Sequence, residues 1–156
     1  MINKYYKSFT SLLITLFLVI SCSPKVLPTG EVNYLNSTSN GVIELTSRGY
    51  STGTEDNVYF EAEKQAFEML FFRGIPGSQV QKPLLGYDEN KIKKQHNNYF
   101  TEFYSKKRYR TFIMSSDKQS SGNKLNYKYV NLRLKINYHA LINDLESKGV
   151  KRGFGL

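Results

Sequence analysis

The amino-acid sequence predicts an α+β fold: a two-layer domain in which an antiparallel sheet has its helices packed on one face. Three observations carry this. Leu125 to Tyr138 alternates without a break, with Val130, Leu132, Leu134, Ile136 and Tyr138 on one face and Tyr127, Tyr129, Asn131, Arg133, Lys135 and Asn137 on the other. Alternation of that length means one buried and one wet face, the mark of an antiparallel sheet. Glu55 to Arg73 has a helical pattern instead. Its Val58, Tyr59, Phe60, Ala62, Ala66, Phe67, Met69, Leu70 and Phe71 spread over more than half the circumference at about 100° per residue. A helix that apolar must be covered by the sheet beneath it and by another element beside it. The third observation is composition: 12 tyrosines and 10 phenylalanines but no tryptophan, a usage suited to half-buried sheets and interfaces.

The elements follow in order. Gly41 to Ser51 sets Ile43 and Leu45 against Glu44, Thr46 and Arg48, which makes a half-buried strand. Ser51 to Thr54 offers capping hydroxyls, and Glu55 and Asp56 place negative charge at the N-terminus of the long helix. Gly74 closes that helix at C′, and Ala62 and Ala66, one turn apart, let the sheet approach closely. RGIPGS at 73–78 is a rigid turn; it lacks the Gly-Lys-Ser/Thr and the following helix of a phosphate loop. Asp88 caps a second helix from Glu89 to Ser105, whose Ile92, His96, Tyr99 and Phe103 form a narrow stripe fit for a surface position. Tyr109 to Ser115 is extended, and Asp117 to Lys124 is a polar turn that joins it to the alternating strand as a hairpin. A last helix, Ala140 to Lys148, turns Leu141 and Leu145 inward and stops at Gly149.

These elements occupy a single domain at 42–156, and two segments of another kind precede it. Met1 to Ser11 carries Lys4 and Lys7, and the apolar run that follows, Leu12 to Ile20, is far shorter than the roughly 20 residues a spanning helix needs. Val19-Ile20-Ser21-Cys22 resembles the bacterial lipobox, in which a small residue precedes the cysteine that is lipidated. The resemblance implies that 1–21 is a lipoprotein signal peptide and that Cys22 becomes the diacylglyceryl-bearing mature N-terminus. Residues 22–41, with two prolines and a Ser/Thr/Asn cluster, then read as a lipidated flexible tether, able to reach roughly 60 Å when extended. Ser23 lacks the aspartate associated with inner-membrane retention. The expected location is the outer membrane, lipid-anchored and facing the periplasm.

The formal charge of +9 falls by two when the leader is removed. For a protein in that compartment the basic excess points to anionic lipid, lipopolysaccharide, cell wall such as peptidoglycan, or an acidic protein partner, and not to nucleic acid. Cys22 is the single cysteine, so the folded part has no disulfide, thiol ligand or thiol nucleophile. His96 and His139 have no HExxH spacing, no Gly-x-Ser-x-Gly is present, and no paired carboxylates or nucleophile–base sets are assembled. Glu61 and Glu68 are expected on the solvated face of the long helix. The chain is therefore expected to be no enzyme and to need no cofactor and no metal. Two sets of residues are candidates for contact. Tyr127, Tyr129, Arg133 and Lys135 line the wet sheet face as an interface, and Lys106, Lys107, Arg108 and Arg110 form the densest basic run, a candidate anionic contact.

RGYS at 48–51 followed by EAEKQAFEML at 61–70 is similar to the LPP20 and flagellar-assembly lipoprotein group, in which a strand ends near glycine and alanines follow at a spacing of four. Leu70 stands where that pattern has a third alanine. In size and anchoring the chain also resembles TssQ, the lipoprotein subunit of an atypical type VI secretion apparatus. The anchor, the tether, the lack of a reactive constellation and the wet sheet face lead to an expected role as a structural or assembly subunit of a trans-envelope complex such as a secretion system. The alternative is a periplasmic binding module for cell wall or another anionic ligand.

Overall fold

The computed structural model describes residues 30–38 and 41–151. Cys22, the signal segment and the tail beyond Lys151 lie outside the described residues. Four strands, β1 (Val32–Thr38), β2 (Val42–Ser51), β3 (Ile113–Lys124) and β4 (Tyr127–Asn137), form one antiparallel sheet in the order β1-β2-β4-β3. The helices are α1 (Glu55–Phe72), α2 (Glu89–Gln95), α3 (Asn97–Ser105) and α4 (Tyr138–Ser147), with a 3-10 turn at Arg108–Phe112. Strand and helix side chains meet in a single core cluster, which uses one face of the sheet. The two-layer α+β expectation holds.

The contact between α1 and β2 sets the geometry of the core. Ile43, Leu45, Leu132, Leu134 and Ile136 of the sheet and Ala62, Ala66, Phe67, Leu70 and Phe71 of α1 are fully buried. Gly49 permits the close approach: a Cβ there would lie 2.2 Å from the Ala62 N and 2.5 Å from the Val58 O. Ser47, buried between the layers, donates its hydroxyl to the Ala62 O at 2.6 Å. On the far side of α1, Phe67 meets Phe103 edge-on at 5.3 Å and Tyr109 at 5.8 Å, so the helix is covered on two sides. Each such ring, fully buried, stabilises the fold by about 1.5–3 kcal/mol.

Four expectations are corrected. Residues 22–41 are not all tether, because β1 pairs with β2 from Val32↔Ser47 to Thr38↔Val42 and the domain begins near Gly30. An edge strand needs burial on one side of a few residues only, and here Val32 and Tyr34 alone supply it. Asp117 to Lys124 is not a turn but the second half of β3, held by ladder bonds to β4 while nearly every side chain stays in water. The reversal instead uses Leu125 and Asn126, at φ 50° and 68°, the two left-handed residues of a tight hairpin. The second helix breaks at His96 (φ −115°, ψ 36°) into α2 and α3. The break re-aims the apolar stripe, so that Phe100 and Phe103 are buried while α2 buries nothing. Finally, Tyr109–Phe112 is not extended but part of the 3-10 turn, entered through the left-handed Lys107 at φ 54°.

RGIPGS is a closed turn. Gly74 and Gly77 have φ 77° and 78°, and the buried Ser78 hydroxyl donates to the Ile75 O at 2.8 Å and accepts from the Val80 N–H at 2.9 Å. The Ser78 hydroxyl is thus spent within the turn.

Candidate interaction face

The face of the sheet opposite the core is built from the even positions of β2 and the odd positions of β4. Register aligns them in rows: Tyr50 with Tyr129 and Gly122, Arg48 with Asn131 and Ser120, Thr46 with Arg133 and Asp117, and Glu44 with Lys135 and Ser115. The Tyr129 ring lies across Gly122, whose absent Cβ would sit 3.0 Å from it, and packs against Tyr50 at 6.1 Å. Arg48 stacks over the same ring at 5.8 Å, donates from Nε to the Asn131 Oδ1 at 2.6 Å, and reaches Glu31 at 3.1 Å. Arg133 donates from Nε to the Glu44 Oε1 at 2.5 Å.

Of the four residues expected to stand here in line, Tyr129, Arg133 and Lys135 do. Tyr127 is on the same strand parity but only 7 % exposed, so it is corrected from contact residue to packing residue. Lys135 makes no ion pair among the described residues. It borders a hollow of about 560 Å³ shared with Asn36, Val42, Glu44, Met114 and Asn137. Met114 is 62 % exposed because it sits in a bulge between Ile113 and Ser115, as Leu35 (45 % exposed) does between Tyr34 and Asn36 on the other edge. Neither apolar residue was legible as a surface feature, since bulges depend on the pairing partner and not on local pattern.

The basic run does not form one patch. Lys106, exposed, pairs with Glu102 at 2.8 Å, and Lys107 holds the left-handed corner. Arg108 turns inward, bonding Asp144 at 2.7 Å and lying over Tyr99 and Phe103 at 4.9 and 5.6 Å. Burial is the largest influence and works against its charge, but the hydrogen bond and negative charge of Asp144, with Tyr99, together outweigh it and raise the pKa. Arg110 donates from Nε and from one terminal nitrogen to the Glu63 Oε2, both at 3.3 Å. Three of the four candidate anionic contacts thus have carboxylate partners within the domain.

Two glutamates of α1 belong to buried polar pairs that the sequence reading missed. Glu63, 5 % exposed, accepts from the Tyr109 hydroxyl at 2.8 Å, and burial followed by that bond pushes the Tyr109 pKa up to about 12. The signal was present: Tyr59, Phe60, Ala66 and Phe67, one turn to either side of Glu63, are all apolar. Glu68, expected in water, is instead drawn under α3, where Tyr104 donates to it at 2.5 Å and Lys93 at 2.7 Å. Burial raises its pKa despite both donors. These carboxylates fasten α1 to the 3-10 turn and to α2 and α3. Among the described residues no group of three or more His, Cys, Asp or Glu side chains is placed to hold a metal, and no helix is long and apolar enough to cross a membrane.

The class that the fold defines is therefore a small α+β domain with a bulge-edged antiparallel sheet and a polar outer face. No family model, no curated protein and no solved structure matches the chain.

Proposed function

We propose that the chain is a non-enzymatic lipoprotein, anchored to the outer membrane through Cys22 and facing the periplasm. It serves there as a structural subunit of a trans-envelope complex such as a secretion system, docking through the outer face of its sheet. The observation that carries this reading is the one-sided sheet. Its helices share one face, and the other presents Tyr129, Arg133, Lys135 and the bulged Met114 together. Tyrosine and arginine are enriched at interface hot spots, and the buried carboxylates are committed to structural pairs. Two or three acyl chains on Cys22, at roughly 0.8 kcal/mol per buried methylene, hold such a subunit at its membrane permanently.

Lys135, which makes no ion pair among the described residues, stands beside its hollow and supports the second reading, a cell-wall or other anionic-ligand module. Two measurements separate the readings. Cys22→Ala is expected to move the protein out of the outer-membrane fraction, and continued fractionation there would sink the anchor. Retention of the purified protein on peptidoglycan that weakens as salt rises, with no envelope protein co-purifying after mild cross-linking, would favour the binding module over the subunit.

A further inference from the structure

The two ends of the sheet differ. β1 enters antiparallel to β2 with Val32 opposite Ser47, and the Arg48 N–H donates to the Glu31 O at 2.9 Å. The chain that leads from Cys22 therefore joins the domain at the Ser51 end of β2. The reversal between β3 and β4 lies at that same end: Ser51 is opposite Lys128, Lys124 pairs with Tyr127 one step further out, and Leu125 and Asn126 close the apex beyond them. The loop that carries Tyr87 belongs to the other end. Its Leu84 and Leu85 amides bond the Leu70 and Phe71 carbonyls late in α1, and its Gln79 bonds the hydroxyl of Tyr138, the residue after the Val42↔Asn137 pair.

The apex itself is unusual. Leu125 is 76 % exposed and has φ 50°. A tight hairpin favours Asn or Gly in that conformation. A leucine there is strained by its Cβ, and in water it gains no packing within the domain to offset this. An outlier of this kind points to a contact outside the fold. Lys124 and Lys128 flank it, both exposed and neither in an ion pair among the described residues. Lys124 shares the outer side with its pairing partner Tyr127, and Lys128 has the parity of Val130 on the core side, so cations lie on both faces of the apex. Glu55 and Asp56 open α1 at this end, but Glu55 reaches Lys118 at 3.9 Å, and a hollow of about 280 Å³ separates Glu55 and Tyr59 from Asn123 and Lys128 of the hairpin.

We infer that this apex is a second membrane contact, in which Leu125 enters the interfacial layer of the membrane that holds Cys22 while Lys124 and Lys128 lie among its anionic phospholipid headgroups. The inference rests on the anchor proposed above. The lead of eight residues, 22–29, reaches about 26–29 Å when extended, and it attaches at the end of the sheet that bears the apex. Acylation thus brings this end toward the lipid. A leucine between two lysines suits that boundary, because the apolar side chain leaves water while the lysine stems lie along the apolar layer and keep their ammonium groups at the phosphates. One leucine and two lysines are too few to recruit a protein from solution, so the contact orients a domain already anchored. It stands the strands away from the membrane and leaves the outer sheet face open at the side.

The protein has no tryptophan, so Leu125→Trp supplies a single reporter. The variant is expressed from the full chain, extracted from membranes and reconstituted into phosphatidylethanolamine vesicles containing about a quarter of phosphatidylglycerol. Its emission is expected to shift to the blue by about 10 nm and to be quenched about twofold by bromine-labelled lipid. Tyr87→Trp, at an equally exposed position at the other end, should show neither effect. Adding Lys124→Glu and Lys128→Glu to Leu125→Trp should remove most of the shift, as should phosphatidylcholine vesicles. Emission from position 125 that stays at the value for water, that matches position 87, or that ignores the lysine reversals would overturn the inference. The mass of the purified protein separates this from the anchor: an unmodified Cys22 overturns both, whereas acylated protein with a water-exposed reporter overturns the apex contact alone.

Discussion

Tyr109 and Glu63 show how single side chains hold the layers together. The Tyr109 ring is fully buried against Phe60, Phe67 and Phe103, and its hydroxyl meets Glu63 where water cannot. Tyr109→Phe is expected to cost about 1–3 kcal/mol in urea melts, because a buried carboxylate loses a donor while the ring packing survives. Its pH dependence follows from the direction of the shift. The Tyr109 pKa is raised from 10.0 to about 12, so the folded state keeps a proton that the unfolded chain releases. The stability this contributes is fully present below pH 10 and is lost as pH rises through about 12. Burial also raises Tyr99 and Tyr104, so melts from pH 8 to 12 should show a steep alkaline loss that Tyr109→Phe makes shallower. An unchanged slope would contradict the Tyr109–Glu63 pairing. Glu63 and Glu68 were hard to read because a carboxylate among apolar neighbours shows its burial without showing its donors, and Tyr109 and Arg110 are 46 and 47 positions away in sequence.

At the scale of elements, α1 and β4 were legible because burial wrote a clear period into each. Val130 to Ile136 reads as a strand from any one side, and Glu55–Phe72 matches its expected span to within a residue. β1 and the second half of β3 were not, because edge strands take their order from backbone pairing and leave Asn, Ser and Lys side chains in water. The same cause hid the break at His96, where a helix turns to bring Phe100 and Phe103 under α1. Two substitutions test the central contact. Phe67→Ala, at a position with no exposure and two edge-on ring partners, is expected to cost roughly 2–5 kcal/mol by leaving a cavity. Gly49→Ala should cost about 1–3 kcal/mol, since its methyl would meet the α1 backbone and force β2 and α1 apart. Thermal melting at the wild-type midpoint in either variant would contradict the packing of α1 on β2.

At the scale of the whole molecule, the domain that begins at Gly30 follows closely on the proposed anchor at Val19-Ile20-Ser21-Cys22. With β1 folded, the lead from Cys22 to the sheet is eight residues, 22–29. Fully extended this spans about 26–29 Å, so an anchor at Cys22, as proposed, would keep the domain close to its membrane. Its outer sheet face is the surface proposed to meet a partner. Site-specific photo-cross-linking in intact cells tests that most directly, with benzoylphenylalanine introduced in place of Lys135 on the outer face and, separately, of Lys94 on the exposed side of α2. A discrete adduct with an envelope protein is expected from position 135, lost when Arg133→Ala is added, and none from position 94. No adduct at 135, or the same adducts at both positions, would contradict docking through this face.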